Sequence, residues 1–512
     1  MSRNKITGYS ESSAMPQRVR DVLGRLKVAV HQNIYDADFE YGKQPLRWEE
    51  ITAGGATITH QPGLGGVQMQ VPTTSGAIAV RQSRPYMRYQ PGKTMFMATA
   101  CLMGSAQTNN VTRVGFFDDA NGVFFEQGNS SATNPFGMNV VIRNDSSGLV
   151  VDTKFPLDQW NGDQTMIKQL NFSRIQMFWI EYAWYGAGAT RFGFWIDGEP
   201  VIAHQVGWAN YISAAGVGNT APWSRTGNLP VRYEQRNTGT ISAINNLLHY
   251  GVSVIVEGGQ DDQRGFTYSY GMAPAAPVRS TGGAVTRWPV LSIRSKAMGL
   301  VEYSQASNAV VSGTTGSITL TNATLTTNQF RGRYIYFPGL GASGTGIVAR
   351  ITSNTTSVIN FVDNVTGGVV TNAPAAAANY QIGLLNRGQL LPKKLMVVQT
   401  TAAQNVVIEL VASTPQAPIR LTGASFVALS SLGSANSFAE RDVSATAIAS
   451  GGEVTFAFTL SPGSGVQEID LSYFFPLLNT IRGNDVDVLS VCVTSAATVT
   501  VGAHLICQEA MS

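Results

Sequence analysis

The chain has 512 residues, more than a single hydrophobic core usually supports, so we expect two to four domains. Charged residues make up 13%, about half of the roughly 25% usual in soluble proteins, and the net charge of +3 includes no long Lys or Arg run. This composition argues against direct nucleic-acid binding and against a patch for anionic membranes. It predicts a largely neutral surface of the kind that neighbouring subunits cover.

Cysteine content and hydropathy indicate in which cellular compartment the protein is made. Cys101, Cys492 and Cys507 are too few for a disulfide framework and lack CxxC spacing. Cys492 and Cys507 could face each other on adjacent strands, although buried free thiols are the expectation. The chain starts without an apolar signal region and nowhere reaches about 18 consecutive apolar residues, so we expect a protein made in a cytosol with no membrane partner.

Residues 1–45 are predicted to form an N-terminal arm. Pro16 suits the first position of a short helix, and the following apolar residues have the i, i+3, i+4, i+7 spacing of an amphipathic helix: Val19, Val22, Leu23, Leu26 and Val30. A lone helix at a chain end packs either on its own domain or on a neighbouring subunit. We predict that Val19, Val22, Leu23 and Leu26 contact a partner.

Residues 46–275 are predicted to form a jelly-roll β-sandwich. Runs such as TMFMATACLM, RVGFFDD, MNVVIRN and TRFGFWIDG are rich in β-branched and aromatic residues, and turn signals such as Asp197-Gly198 separate them. The run FWIEYAWY carries bulky groups on both faces. We therefore expect it to be a central strand that is covered on each side.

The second half of the chain is predicted to contain one domain nested inside another. Residues 276–300 combine a Pro- and Gly-rich linker with the first strand of a C-terminal β-sandwich, which resumes over 384–512. Residues 301–383 have their own short alternating strands and Gly-rich turns, which predicts an inserted small β-barrel. The predicted fold class is therefore all-β, with a short helical arm.

Candidate metal and catalytic groups are sparse. Asp118, Asp119 and Asn121 could supply oxygens to Ca²⁺, but a β-turn with solvated acids is the favoured interpretation. Asp261 and Asp262 are adjacent on one strand and would point to opposite faces, which does not suit a glycosidase pair.

Other motif matches also lack the required context. Gly339, Gly341 and Gly344 match GxGxxG, but a strand pattern follows instead of a helix. The five histidines lack zinc-site spacing, and no GxSxG elbow is present. We predict no enzyme activity, no catalytic residue, no cofactor and no metal.

Arginine and tyrosine interleave on one segment and predict an interface. The residues are Arg81, Arg84, Tyr86, Arg88 and Tyr89. These residue types are favoured where proteins meet, although the same pattern could bind a polyanionic glycan. Trp184, Trp195 and Trp208 could stack on sugar rings, but core positions are the favoured interpretation.

Several runs resemble stretches of virion structural proteins of tailed bacteriophages. They are RPYMRYQPGK, VGFFDDANGVFFE, WYGAGATRFGFWIDG and LPVRYEQRNTG, with LSIRSK, NRGQLLPKKLMV, LTGASF and DVSATAIASGG further on. The run FRGRYIYFPGLGASGTGIVARITSNTT looks like a small barrel module of phage tail and baseplate components. The resemblance implies a concanavalin-like jelly roll for the first domain and carries no catalytic residues.

From this resemblance we expect a non-enzymatic structural component of a tailed phage particle, in its tail, baseplate or fibre apparatus. It would be made in the host cytoplasm, reside in the virion, form a homo-oligomer and bind other virion proteins. The alternative is a carbohydrate-binding adhesin or capsid decoration protein that recognises a host glycan. An exposed aromatic groove would favour that alternative.

Overall fold

The computed structural model describes residues 20–208, 221–259, 265–272, 278–281, 285–306, 308–321, 324–341, 345–400, 404–432 and 436–510. The chain divides into two compact units. The first comprises residues 1–44, 50–82 and 87–261, and the second comprises 45–49, 83–86 and 262–512. Strands dominate both units, which confirms the all-β prediction. Among the described residues, no helix has the length and apolar character needed to span a membrane.

The first unit contains fifteen of the described strands and one short helix, α1 (Gln164–Ile167). In chain order the strands are β1 (His31–Ala37), β2 (Trp48–Ala53), β3 (Thr57–Gln61), β4 (Gly66–Val71), β5 (Ile78–Ser83), β6 (Met95–Leu102), β7 (Asn110–Phe117), β8 (Gly122–Gln127), β9 (Met138–Asn144), β10 (Val151–Pro156), β11 (Gln176–Tyr182), β12 (Ala189–Ile196), β13 (Glu199–Gly207), β14 (Val231–Asn237) and β15 (Asn245–Glu257).

These strands form the two antiparallel sheets of a jelly-roll sandwich. The first sheet has the order β13-β12-β11-β6-β15-β4-β3, with β1 also paired to β15, and the second has the order β10-β9-β8-β7-β14-β5-β2. Phe125 of β8 contacts Phe178 of β11 and Phe194 of β12, with ring centroids 5.1 Å apart in each case. Alternate residues of both sheets therefore point into a shared aromatic core.

The helix predicted in the N-terminal arm is absent from its described part, residues 20–30. Turns and an isolated bridge between Arg20 and Leu26 occupy this segment. The Asp21 carboxylate accepts a hydrogen bond from the backbone N–H of Arg25 at 2.7 Å, and Gly24 adopts a φ of 81°. A side-chain acceptor and a left-handed glycine both compete with helical geometry, so the prediction from apolar spacing was wrong here.

The second unit contains the remaining described strands. They are β16 (Phe266–Gly271), β17 (Arg279–Ser280), β18 (Val285–Ser295), β19 (Met298–Ser304), β20 (Val310–Gly313), β21 (Ser317–Leu320), β22 (Tyr334–Phe337), β23 (Ile347–Asn354), β24 (Val358–Asp363), β25 (Gln381–Leu385), β26 (Gln389–Gln399), β27 (Val406–Ala412), β28 (Arg420–Thr422), β29 (Val427–Ala428), β30 (Ala439–Asp442), β31 (Ala447–Ser450), β32 (Glu453–Leu460), β33 (Val466–Asp470), β34 (Val488–Ser495) and β35 (Thr500–Ala510).

Two sheets of the second unit form the C-terminal sandwich. One has the order β16-β35-β26-β33 with β17 beside β35, and the other has the order β29-β30-β18-β34-β27-β32. Leu395, Leu410, Val491 and Leu505 belong to one buried cluster that joins them. Strand β16, which we predicted to belong to the first domain, pairs with β35 instead, because residues 266–271 are in register with 504–509.

The segment predicted as an insertion builds a separate seven-stranded sheet with the order β19-β25-β22-β23-β24-β21-β20. Val310, Phe337, Phe361 and Ile382 share one apolar cluster, and Tyr303 of β19 packs against it, so strands from both ends of this order contact the same core and the sheet forms a half-barrel around it. Strands β19 and β25 pair, which brings the two ends of the segment together. The chain therefore leaves and re-enters the sandwich at neighbouring positions.

Candidate functional site: an aromatic groove on the first sheet

Four adjacent strands of the first sheet bring a row of side chains to its outer face. In the antiparallel register, Glu181 of β11 lies opposite both Arg191 of β12 and Phe96 of β6, and Phe96 in turn lies opposite Ile255 of β15. Neighbouring residues of opposite parity, such as Phe178, face the sandwich core. The alternation of strand side chains therefore directs this row away from the core.

Aromatic rings form the floor of this outer face. The rings of Phe96 and Trp179 stack with centroids 5.9 Å apart and an interplanar angle of 22°. A Cβ atom at Gly193 would lie 2.2 Å from the Trp179 ring, so the indole occupies space that only glycine leaves free. Trp179 Nε1 donates to the Phe194 carbonyl at 3.2 Å, whereas the buried Nε1 of Trp195 has no acceptor among the described residues.

A buried carboxylate lies at the centre of the row. Lys27 Nζ is 3.0 Å from Glu181 Oε1, and Arg191 Nη1 is 3.5 Å from Glu181 Oε2. Burial raises the pKa of Glu181 although Lys27 and Arg191 both act to lower it. Burial likewise lowers the pKa of Arg191. Desolvation therefore outweighs the attraction between these charges.

Two adjoining cavities open on this face, with volumes of about 240 and 210 Å³. Both are lined by Lys27, Phe96, Glu181 and Trp195. The larger extends to His31, Thr94, Ile255 and Glu257, and the smaller to Arg20, Trp179, Arg191, Pro200 and Ile202. We refer to these cavities and their lining residues as the groove.

Residues 20–31, named the strap below, contribute to the walls of the groove. Arg191 Nη1 donates to the Arg20 carbonyl at 2.7 Å, and Lys27 Nζ lies 5.6 Å from the centre of the Phe96 ring. Lys27 is therefore placed over an aromatic face that a ligand would use. This arm segment packs on its own unit, which was one of the two alternatives for the arm.

A second carboxylate, Glu257, lines the larger cavity with Glu181. The register puts these residues two strands and two positions apart, so roughly 4.8 Å per strand and 3.3 Å per residue give a Cα separation of about 12 Å. Thr94 Oγ1 donates to Glu257 at 3.0 Å. Each oxygen of Glu181 therefore faces a cation and Glu257 accepts a hydroxyl, so both carboxylates have polar partners within the groove.

The structure places most of the predicted Arg and Tyr interface inside the chain. Arg81, Arg84, Tyr86 and Tyr89 are buried, and only Arg88 is half-exposed. Arg84 Nη2 lies 2.8 Å from both oxygens of Asp487, and Arg81 pairs with Glu50. The Arg387 guanidinium lies 4.8 Å from the Tyr86 ring centre, and Tyr89 stacks on Tyr182 at 6.1 Å. The four buried residues offer little surface to another subunit, so that part of the interface prediction was wrong.

The apolar arm residues have different exposures. Val22 is buried, whereas Leu23 and Leu26 are exposed, and their contact with a partner stays a prediction. Val19 lies outside the described residues.

The loop considered for Ca²⁺ is a hydrogen-bonded turn. Asp118 Oδ1 accepts from the backbone N–H groups of Ala120 and Asn121, each at 2.8 Å, and Asp119 pairs with Arg232 at 2.8 Å. Within the described ranges, no group of three His, Cys, Asp or Glu residues could hold a metal ion. Asp261, Asp262 and Gly344 lie outside those ranges.

The cysteines and the remaining tryptophans are in structural positions. Cys101, Cys492 and Cys507 are buried free thiols, and Cys492 of β34 and Cys507 of β35 belong to different sheets, which excludes the adjacent-strand alternative. Trp184 Nε1 donates to the Ser224 carbonyl at 2.8 Å, and Trp208 Nε1 donates to that of Ala221 at 3.3 Å.

Sequence reasoning missed Lys27, Phe96, Trp179 and Glu181 as site residues. The available signal was the run FWIEYAWY, whose two bulky faces we expected to be covered equally. One face enters the core and the other forms the groove floor.

No protein-family model and no curated protein sequence matches this chain. Solved structures align with the chain at low similarity. A glycosyl hydrolase family 16 protein from Mycobacterium smegmatis is 10% identical, with a TM-score of 0.29, and the alignment covers 44% of this chain and 100% of that one. The transglycosylase Crh5 in complex with NAG is 15% identical, with a TM-score of 0.29, and the alignment covers 44% of this chain and 84% of that one. The Emp47p carbohydrate recognition domain is 11% identical, with a TM-score of 0.25, and the alignment covers 43% of this chain and 94% of that one. Similarities at this level carry no functional argument.

Proposed function

We propose that the first unit binds a carbohydrate in the groove and does not cleave it. The observation that carries this proposal is the combination, in one groove, of aromatic surfaces with polar groups. Phe96 and Trp195 are half-buried, the buried Trp195 Nε1 has no acceptor among the described residues, and Glu181 is held in place by Lys27. Ligand sites combine aromatic walls with a few placed polar groups, and a sugar ring offers both apolar faces and hydroxyls.

The groove size indicates a short ligand segment. Each cavity is smaller than the roughly 300–1,000 Å³ of drug-sized sites, but the two share four lining residues and adjoin. One sugar unit in each cavity would place the Glu181 carboxylate between neighbouring units.

Binding without cleavage follows from the charge arrangement around Glu181. Glycoside hydrolysis requires a proton donor and a second carboxylate about 5–5.5 Å away for retention or about 6.5–9.5 Å away for inversion. Lys27 and Arg191 each contact one oxygen of Glu181, so both oxygens already face a cation instead of a glycosidic oxygen, and the Cα atoms of Glu181 and Glu257 are about 12 Å apart.

The test is a glycan-array screen of the full-length chain, followed by titration calorimetry with the best ligand. Trp195→Ala is expected to weaken binding at least tenfold, because it removes an aromatic wall and a donor. Trp208→Ala is the matched control, since Trp208 lies outside the groove, and it is expected to bind like the unmodified chain. Absence of any glycan ligand, equal affinity of the Trp195 variant, or release of shortened glycans would each contradict the proposal.

A second function, compatible with the first, is that of a structural component of a tailed phage particle. The resemblance of several sequence runs supports it, as does the low charge content of 13%. In this role the chain resides in the virion, binds other virion proteins and presents the groove to a host-surface glycan. Mass spectrometry of purified particles, with cryo-electron microscopy to locate the chain, tests this function, and absence of the chain from particles would contradict it.

A further inference from the structure

One side of the C-terminal sandwich ends in two edge strands. Strand β32 ends the six-stranded sheet, and β33, five residues further along the chain, ends the five-stranded sheet. Among the described residues, β32 pairs with β27 alone and β33 with β26 alone. One backbone edge of each strand therefore has no strand beside it within that part of the chain.

The two edge strands differ in how well their residues hinder pairing with another chain. Strand β33 carries Glu468 and Asp470, and charged edge residues hinder pairing with another chain. Strand β32 has the sequence EVTFAFTL, in which Glu453 is the only charged residue, and it contains neither lysine nor proline. A long edge strand whose single charge lies at its first residue is an open template for another strand.

Apolar side chains are also exposed along this edge. Exposure is 38% for Val454, 42% for Phe456 and 55% for Val466 of β33, whereas Phe458 packs partly against the sandwich core. The residues between them, Thr455 and Ala457, are exposed too. The end of the core is therefore open to solvent on this side.

A bulge limits the part of β32 that is regular. The register with β27 shifts at Thr455, since Leu410 lies opposite Phe456 while Val411 lies opposite Val454. Such bulges discourage pairing locally, but residues 456–460 continue in regular register beyond the bulge. These five residues carry no charge.

We propose that residues 456–460 of β32 pair antiparallel with the same segment of a second copy of this chain, about a two-fold axis at Phe458. In that register Phe456 lies opposite Leu460 of the second copy, and Ala457 lies opposite Thr459. The large apolar residues then meet apolar residues, the small Ala457 meets a threonine and no like charges are opposed, so the segment is complementary to itself.

The pairing would join the two six-stranded sheets and cover the open end of each core. Phe456 of each copy would pack beside the partner copy, and the two β33 edges, with their acidic residues, would remain unpaired. This inference rests on the assembly function proposed above and specifies one surface for it.

The test compares self-association of the full chain with that of an Ala457→Lys/Thr459→Lys variant. Both positions are exposed, so the lysines are tolerated in the single chain, but in the pair each lysine would face a lysine of the other copy. Thr352→Lys/Thr356→Lys is the matched control, because it adds the same charge at exposed positions of the half-barrel. Sedimentation velocity over a concentration series and thermal melting are measured for all three chains.

We expect the unmodified chain and the control to form dimers of twice 54.7 kDa, and the β32 variant to dimerise at least tenfold more weakly. The three chains should melt alike at dilutions where all are monomeric. A monomeric unmodified chain up to its solubility limit would overturn the inference, as would undiminished dimerisation of the β32 variant. If the monomeric β32 variant still enters particles, the assembly function stands but does not use β32 pairing, which overturns this inference. Failure of every chain to enter particles would contradict the assembly function itself.

Discussion

Both sheets of the jelly roll carry a buried carboxylate on the outer face, but the two carboxylates differ in how many cations surround them. On the second sheet, Glu234 accepts from Arg113 at 2.7 Å, from Arg232 at 2.6 Å and from Arg236 at 3.2 Å. On the first sheet, Glu181 has Lys27 and Arg191, and cavities adjoin it. Both carboxylates are almost fully buried.

The pKa directions separate the two faces. Burial raises the pKa of Glu234, but Arg232, Arg236 and Arg113 together outweigh it and hold this pKa well below its usual range. At Glu181 burial prevails and the pKa is raised. A carboxylate with three arginines thus belongs to a closed structural network, whereas a less compensated carboxylate beside a cavity can still gain from a ligand.

The largest expected effect is on the closed network. Glu234→Gln keeps the shape but removes the charge that three arginines share. Arg232 keeps Asp119 and Arg113 keeps Glu126, so the buried charge is only partly uncompensated, and we expect the first unit to lose roughly 3 kcal/mol of stability. Urea denaturation measures this loss. Because the folded-state pKa of Glu234 is lowered, its contribution is present above the unfolded pKa and is lost as pH falls through the folded pKa.

Glu409→Gln is the control for this prediction, because its partner Arg287 is 45% exposed, and we expect a change of at most about 1 kcal/mol. Equal effects of the two substitutions would show that the network on the second sheet is not what stabilises it.

A third carboxylate extends the comparison to the second unit. Burial raises the pKa of Glu49 from 4.5 to about 7, although the Ile481 backbone N–H, Arg84 and Arg387 act to lower it. The folded chain then binds this proton more tightly than the unfolded chain, so the contribution of Glu49 to stability is fully present below about pH 4.5 and is lost as pH rises through about 7.

Glu49→Gln should remove this decrease, because a glutamine oxygen still accepts from Ile481 but cannot ionise. Thermal melting at several pH values checks it, with Glu468→Gln at an exposed pair as the control. If the pH dependence persists in the Glu49 variant, another group causes it.

Sequence patterns were sufficient for the strand-rich class and for the nesting of one module in another, because alternation and turn residues are local. They could not reveal the groove, since Phe96, Glu181 and Ile255 meet only through the pairing of β6 with β11 and β15. The same limit explains the interface error. Arg84 pairs with Asp487, which is 403 residues away in the chain. The sequence near Arg84 gives no sign of this partner, so we interpreted Arg84 as a surface arginine.

The smallest effect concerns the strap. A ligand that stacks on Phe96 must displace Lys27, whose side chain is 25% exposed and pairs with Glu181 at 3.0 Å. Because Glu181 is buried, breaking this pair costs at least about 1 kcal/mol, so Lys27→Ala should raise glycan affinity at least about fivefold. Titration calorimetry measures this gain, and Lys394→Ala, at an exposed pair outside the groove, should leave affinity unchanged. Weaker binding by the Lys27 variant would contradict this prediction and would instead show that Lys27 contacts the ligand. The strap would then be a binding wall of the groove, and the groove would differ from the closed network in using its cation to hold a ligand.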